Sequence, residues 1–292
     1  MLFSKYLRSK LDAKEINSKS LVAKLQLFSP VFEQLNSVTL SRWLNGRTIP
    51  SLEKQLLIFQ CFESKLYPSL EYLNPPPVSR LSNKAYENVF NNIEFSYHSI
   101  LMYKDCNLIF PISIEEINWS QLNSSVPNFY ESLSSYKLFF SEVDKYNQKS
   151  ITFCSIRNES KVVSHLSLST DIEILPSIFD RELDIDFKRN SVFFNIGHYV
   201  CRKHYNILVG VLLNHIFDKH ESIEDFYVIS RGKDFLTLIE SFGGKLIAAN
   251  RENDVIGNVY LLKVNISKVL TNPFVVSLIK ESYELYKEIN KH

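Results

Sequence analysis

Thr39, Ser41 and Arg42 stand within the stretch VTLSRWLNGRTIPS, residues 38 to 51, and all three are residue types that touch another molecule through polar contacts. Thr39 and Arg42 are three apart, as are Leu40 and Trp43, and residues three apart share one face of a helix. A helix here has an apolar side that packs and a polar side free to touch something. Trp43 then has two readings, as the plug of a small helical core or as the inner side of a DNA-reading helix. The local pattern allows both.

Other side chains with chemistry are scattered. Cys61, Cys106, Cys154 and Cys201 lie more than forty residues apart, without the close Cys or Cys/His pairs of a zinc site, and read as four reduced thiols. His215 and His220, two of the seven histidines, are five apart and share a helical face poorly, with no acidic residue at ligand spacing. No metal site is expected.

The elements that must position these residues follow from local signals. Asn36 or Ser37 can cap a helix over Val38 to Leu44, Asn45-Gly46 stops it, and Pro50-Ser51 opens the next. Before it, Leu2, Phe3, Leu7 and Leu11, then Leu21, Leu25 and Leu27, recur at helical spacing, so the first sixty residues form a helical bundle. Pro75, Pro76 and Pro77 favour a stiff extended connector and place a domain boundary there. Residues 1–66 are thus one domain, 67–82 a Pro-rich linker and 83–292 a second domain.

The second domain mixes periods. A helix is expected over Ala85 to Tyr103, a strand over Cys106 to Ile114, and helices near Glu116 to Leu122 and Asn128 to Val143. Strands ITFCSI, KVVSHLSLS and SVFFNIGHYV begin at Ile151, Lys161 and Ser191, and the helix HYNILVGVLLNHIFDKH follows. Then come a strand Asp225 to Ser230, a helix Lys233 to Phe242 ended by Gly243-Gly244, a short strand KLIAA, a long strand Asn258 to Ile266 and a final helix. The order describes one mixed sheet flanked by helices.

TLSRWLNGRTIPSLEKQLLI, with LVAKLQ as the preceding helix, resembles the XRE-like, lambda-repressor-type helix-turn-helix domains over about residues 3 to 62. The resemblance implies that Ser37, Thr39, Ser41 and Arg42 face the major groove and that Arg47 and Thr48 contact phosphate. Arg42 would then make a bidentate contact to guanine, worth roughly 1–3 kcal/mol of discrimination. LFSPVFEQLNS makes a longer connection before the reading helix than the family's short turn. An HTH-shaped bundle can also serve protein contact, and the sequence leaves that alternative open.

From Ile109 to Ile266 the order of elements resembles the GNAT acyltransferase fold, where the strand before the central helix splays from its neighbour and acyl-CoA lies in the gap. YVCRKHYNILVGVLL sits where that family has its pyrophosphate loop, and LIESFGGKLIA resembles its closing helix-to-strand segment. Arg202 matches the loop's first position and, with Tyr205, is a candidate ligand contact. Tyr205 and Ile207, however, stand where the family needs small residues, because backbone N–H groups must approach the pyrophosphate closely. The family's tyrosine acid falls at about Ile239, and SVFFNIGHYV carries no carboxylate base. His198 and His204 have suitable proton chemistry, but no catalytic residue is assigned, and no cofactor is expected although the resemblance brings acyl-CoA.

Charge fits a two-part chain. The net charge is +1, yet the residues through Glu63 carry nine Lys/Arg against five acids, so a basic head precedes a slightly acidic body. With 45% hydrophobic residues, packed cores are affordable; the apolar run Ile207 to Phe217 is too short to span a bilayer, and MLFSKYLRSKLD lacks the form of a secretory signal. The expectation is an α+β, cytoplasmic, homodimeric transcription regulator: an all-α helix-turn-helix bundle reading a palindromic double-stranded DNA operator, plus a mixed-sheet GNAT-like domain for dimerisation or small-molecule sensing. An active acyl-CoA-dependent N-acyltransferase with a targeting head, and a protein-binding adaptor, are the alternatives.

Overall fold

The computed structural model describes residues 2–63, 67–78, 80–94, 111–127, 129–146, 148–187, 189–220, 223–253 and 257–291. Helix α1 (Leu2–Ala13) buries Phe3, Tyr6, Leu7 and Leu11, and α2 (Ser18–Phe28) buries Leu21 and Leu25 after a cap from Asn17. The long connection after α2 holds a 3-10 turn, Pro30–Phe32, whose Phe32 fills the core. Asn36, rather than Ser37, caps α3 (Ser37–Leu44), accepting from Thr39 N at 2.9 Å. Gly46 at φ 65° lets Arg47 N reach Arg42 O at 2.9 Å and Gly46 N reach Trp43 O at 3.1 Å, a closed left-handed stop. Ser51 then caps α4 (Leu52–Phe62).

Arg8 of α1 finishes the far end of α3, donating from Nε to Leu44 O and from Nη2 to Asn45 Oδ1, both at 2.8 Å. Those acceptors carry the negative end of the helix dipole, which a guanidinium complements. Beyond α4 a 3-10 turn, Tyr67–Tyr72, leads to residues 73–78 without regular structure, where the three prolines lie.

Helix α5 spans Arg80–Glu94 and buries Tyr86, Val89 and Phe90 on one face. The rest of the expected helix to Tyr103, and the start of the expected strand from Cys106, lie outside the described residues. Strand β1 is Ile112–Asn118, followed by α6 (Trp119–Ser125) and α7 (Ser134–Ser141). Both helices start later than the apolar period suggests: Asn118 forms a capping box with Gln121, which fixes the first start.

The sheet adds β2 (Ser150–Asn158), β3 (Lys161–Ser169), β4 (Ser191–Phe194), β5 (Asp225–Arg231), β6 (Lys245–Asn253) and β7 (Gly257–Asn265) in the order β1-β2-β3-β4-β5-β7-β6. Among the described strands β4 and β5 are the parallel pair and the others run antiparallel. This is the mixed, helix-flanked sheet expected. SVFFNIGHYV is a strand only through Phe194, and the short helix α8 (Leu175–Phe179) was not anticipated.

A parallel neighbour requires a crossover, supplied by α9 (Arg202–Lys219), and α10 (Lys233–Ser241) follows β5. The expected single terminal helix is three, α11 (Ile266–Thr271), α12 (Pro273–Glu281) and α13 (Tyr283–Ile289), because Asn272-Pro273 and Ser282 interrupt it. Alternate residues of the strands bury two cores. Cys154, Leu166 and Phe194 pack with α9, while Phe153, Phe193 and Tyr227 pack with Trp119, Tyr136 and Phe139. The first of these cores runs without a break into the bundle of α1–α4. No helix among the described residues is long and apolar enough to cross a membrane.

Candidate functional site

Strands β4 and β5 separate after four residues. They pair through Phe194 and Val228, after which β5 continues against β7 as far as Arg231. The chain after Phe194 stays with β3 instead: Asn195 N donates to Ser167 O at 2.8 Å, and His165 and His198 exchange backbone bonds of 2.9 and 3.0 Å. Gly197 makes this approach feasible, since a Cβ there would lie 2.7 Å from the His165 carbonyl oxygen.

Between the parted segments lies a cavity of about 800 Å³, within the roughly 300–1,000 Å³ typical of small-molecule sites. It reaches both faces of the sheet, with Leu166, Phe194 and Phe226 on the α9 side and Phe129, Ile196 and Ile229 on the other. The walls are mostly apolar. Ser230 is an exception: it is only 6% exposed, and its Oγ has no hydrogen-bond partner among the described residues. A buried hydroxyl left unpaired is a costly arrangement that a bound acceptor would relieve.

A polar network holds the turn at the other side. Asn195 Oδ1 accepts from Tyr136 Oη and from Ile196 N, its Nδ2 donates to Tyr130 Oη, and Tyr130 Oη donates to Ile196 O at 3.0 Å. Sequence spacing does not single these residues out, because Tyr130, Tyr136 and the Asn195-Ile196 pair come from segments far apart in the chain and only the fold collects them. His165 is buried beneath Phe129, whose ring stands edge-on at 4.8 Å. Burial, with His198 nearby, pushes its pKa down to about 3, so it is neutral. His204 shares a 2.8 Å hydrogen bond with Ser164 Oγ, which also accepts from Val200 N; burial, then Lys203 and His198, lowers its pKa to about 4. That histidine positions the 200 loop. His198 is exposed and contributes to the cavity wall.

The first turn of α9 begins at the cavity. Cys201 is its N-cap and makes no side-chain cap bond. Arg202 turns outward to α5: its guanidinium lies 4.4 Å from the centre of the Tyr86 ring and its Nε donates to Tyr86 Oη at 3.1 Å. Tyr205 is buried, packed against Phe90 at 4.9 Å and Tyr199 at 5.0 Å, and it lines the cavity. Arg202 and Tyr205, the two candidate ligand contacts, therefore lie beside the gap, Tyr205 within its wall.

These residues do not fit the pyrophosphate of acyl-CoA. Tyr205, buried against Phe90, stands where the resemblance calls for a small residue, and the exposed Arg202 lies over the Tyr86 ring with its Nε donated to Tyr86 Oη. Ile239, buried in the cavity wall, offers no acid. Among the described residues, no group of three His, Cys, Asp or Glu could hold a metal ion.

On the bundle, Ser37, Ser41, Arg42, Arg47 and Thr48 are exposed, whereas Thr39 is half-buried; Asn45 Nδ2 donates to Ser41 Oγ at 3.3 Å. Leu40 and Trp43 are buried, which settles the packing side of α3.

No protein-family model and no curated protein matches this chain. Among solved structures it is similar to an N-acetyltransferase from Staphylococcus aureus Mu50, at 9% identity over 53% of this chain and 98% of that one, TM-score 0.32. A probable acetyltransferase from Staphylococcus epidermidis ATCC 12228 is similar at 12% identity over 53% and 99%, TM-score 0.31. An aminoglycoside N(6')acetyltransferase from Legionella pneumophila subsp. pneumophila str. Philadelphia 1 is similar at 13% identity over 56% and 96%, TM-score 0.31. Likeness this low leaves the chemistry of the cavity to be decided by its own side chains.

Proposed function

We propose that the C-terminal domain binds an acyl-bearing small molecule in the gap between β4 and β5, and that α1–α4 carry this domain to double-stranded DNA. The observation that supports the first part is the mostly apolar cavity with the unpaired Ser230 hydroxyl in its wall. An acyl chain satisfies the apolar walls by leaving water, and its carbonyl oxygen would accept from Ser230 Oγ once that solvent-inaccessible hydroxyl turns toward the gap.

N-acyl transfer is the chemistry such a site would support. An amine attacking the carbonyl must lose a proton, and the imidazole of His198 in the cavity wall is a group able to take it. The test is thermal unfolding of the full chain with acyl thioesters of increasing length, followed by assay of free thiol in the presence of amines. Stabilisation with thiol release makes the domain a transferase; stabilisation without release makes it a sensor. No stabilisation by any ester removes the reading.

The regulator reading is favoured by a separate observation. Ser37, Ser41, Arg42, Arg47 and Thr48 are exposed together on and just after a helix whose two ends are both capped. A rigid helix with polar groups and a guanidinium outward suits base-edge and phosphate contact, and a two-fold dimer would double a short site. Selection from random duplexes tests it: an enriched palindrome supports a dimeric regulator, and no enrichment leaves the bundle as a protein-contact module.

A further inference from the structure

Consecutive residues of a strand leave opposite faces of a sheet, and at the end of β5 this divides two polar side chains between the two sides of the gap. Ser230 pairs with Tyr260 and follows Phe226 and Val228 on the face that packs with α9. Arg231 pairs with Val259 and follows Tyr227 and Ile229 on the other face, whose core holds Tyr130 and Phe153. Both residues line the cavity. From the parted strand His198 comes to the Arg231 side, its ring 5.9 Å from Phe129 and 6.5 Å from His165.

Arg231 is a cation without an anion. Among the described residues its guanidinium has no ion pair and no hydrogen bond. The residue is exposed, yet the protein around its guanidinium already removes enough water to lower its pKa from the ordinary value. Gly232 follows, and a Cβ placed there would meet no described atom within 4 Å, so there is room beside the cation. Asp234, the other permanently charged residue of the wall, stands in the first turn of α10, whose Leu238 and Ile239 pack on the α9 side. An anion entering the gap is thus favoured on the Arg231 face, where a planar guanidinium pairs well with a carboxylate.

A ligand that serves both faces needs two polar groups. A fatty acid has one, its carboxylate. An N-acyl amino acid has an amide carbonyl and, beyond one nitrogen and one carbon, a carboxylate, with an apolar chain on the other end. We propose that the ligand of the gap is an N-acyl amino acid, its chain between the parted strands, its carbonyl at Ser230 and its carboxylate on Arg231. This rests on the reading that the gap binds an acyl group. It adds the other half of the ligand: the product of a transferase whose acceptor is an amino acid, or the effector of a sensor.

The experiment is titration calorimetry on the full chain with hexanoyl-glycine, its uncharged amide hexanoyl-glycinamide, octanoate and hexanoyl-pantetheine, using the wild type, Arg231→Lys and Arg231→Gln. In the wild type hexanoyl-glycine should bind at least about tenfold more tightly than the glycinamide, the size expected of one charge-assisted hydrogen-bonded pair. Arg231→Lys keeps the charge without the fork and should narrow that ratio; Arg231→Gln should bring it near one. Circular dichroism identifies a variant that fails to fold, and Arg231→Lys then decides alone. Equal affinity for hexanoyl-glycine and its amide in the wild type, or a ratio unmoved by either substitution, overturns the pairing with Arg231. Octanoate binding as tightly as hexanoyl-glycine overturns the amino acid and leaves a fatty-acid site. Binding of hexanoyl-pantetheine without hexanoyl-glycine overturns this inference and leaves the acyl reading intact, and binding of no acyl compound overturns both.

Discussion

The side chain of Gln55 and the backbone of Asn74 form a reciprocal pair: Gln55 Oε1 accepts from Asn74 N at 2.8 Å, and Gln55 Nε2 donates to Asn74 O at 3.0 Å. The amide also donates to Pro50 O at 2.9 Å, and the whole side chain is inaccessible to solvent. One buried residue of α4 thus ties the start of its own helix to the segment that leaves the bundle.

Gln55→Ala should therefore destabilise the chain. It strands Asn74 N, Asn74 O and Pro50 O, and unpaired buried polar groups cost about 1–3 kcal/mol each before any water enters. Urea unfolding should show a lower midpoint with an unchanged slope. Gln55→Glu keeps the acceptor for Asn74 N, loses the donor and places a carboxylate opposite two carbonyls, so it should lower the midpoint as well.

Arg42→Ala should leave stability unchanged, because the side chain is exposed and its role in the turn is carried by its carbonyl oxygen. Under the regulator reading it should relax selectivity at one base position and cost roughly 1–3 kcal/mol of binding. Arg47→Ala should weaken all sequences alike and reduce the salt slope by about one. Fluorescence anisotropy with selected and scrambled duplexes at several salt concentrations separates the two. Equal losses on both duplexes for Arg42→Ala would argue against base reading.

Acid should unfold the protein through its buried histidines. The pKa of His165 is held near about 3, and those of His204 and His215 near about 4, against an ordinary value of 6.5, with burial the largest cause in each. Below 6.5 the unfolded chain binds protons that the folded chain refuses, so stability is fully present above that pH and falls progressively toward pH 4. His165→Gln should flatten this dependence in urea titrations between pH 4 and 7. An unchanged slope would mean that His165 does not stay neutral on folding.

What the sequence made legible is what is local. Asn36, Asn45-Gly46 and Ser51 cap or stop helices through groups within a few residues, and Leu40 and Trp43 alternate with Thr39 and Arg42 on a spacing that needs no tertiary context. The polar ends of the sheet were harder. β1 and β6 are its edges, where the exposed Glu115 and Glu116, or Arg251, blur the alternation that marks a strand. The gap was legible only through resemblance, since the parting of β4 from β5 depends on Gly197 lying against β3 and on the Asn195 network with Tyr130 and Tyr136. The seat of α5 had no local signal at all: Tyr86 and Arg202 are far apart in sequence and meet only in the folded chain.

The most direct test of acyl binding in the gap is titration calorimetry of hexanoyl-pantetheine into the full chain at several temperatures, beside Ser230→Ala. Burial of the chain in the apolar cavity predicts a negative heat-capacity change. Loss of the Ser230 hydrogen bond predicts affinity about five- to tenfold weaker, equivalent to roughly 1–1.5 kcal/mol. Binding without a heat-capacity change, or with full affinity in Ser230→Ala, would contradict the placement of the acyl group, and absence of binding would contradict the account itself.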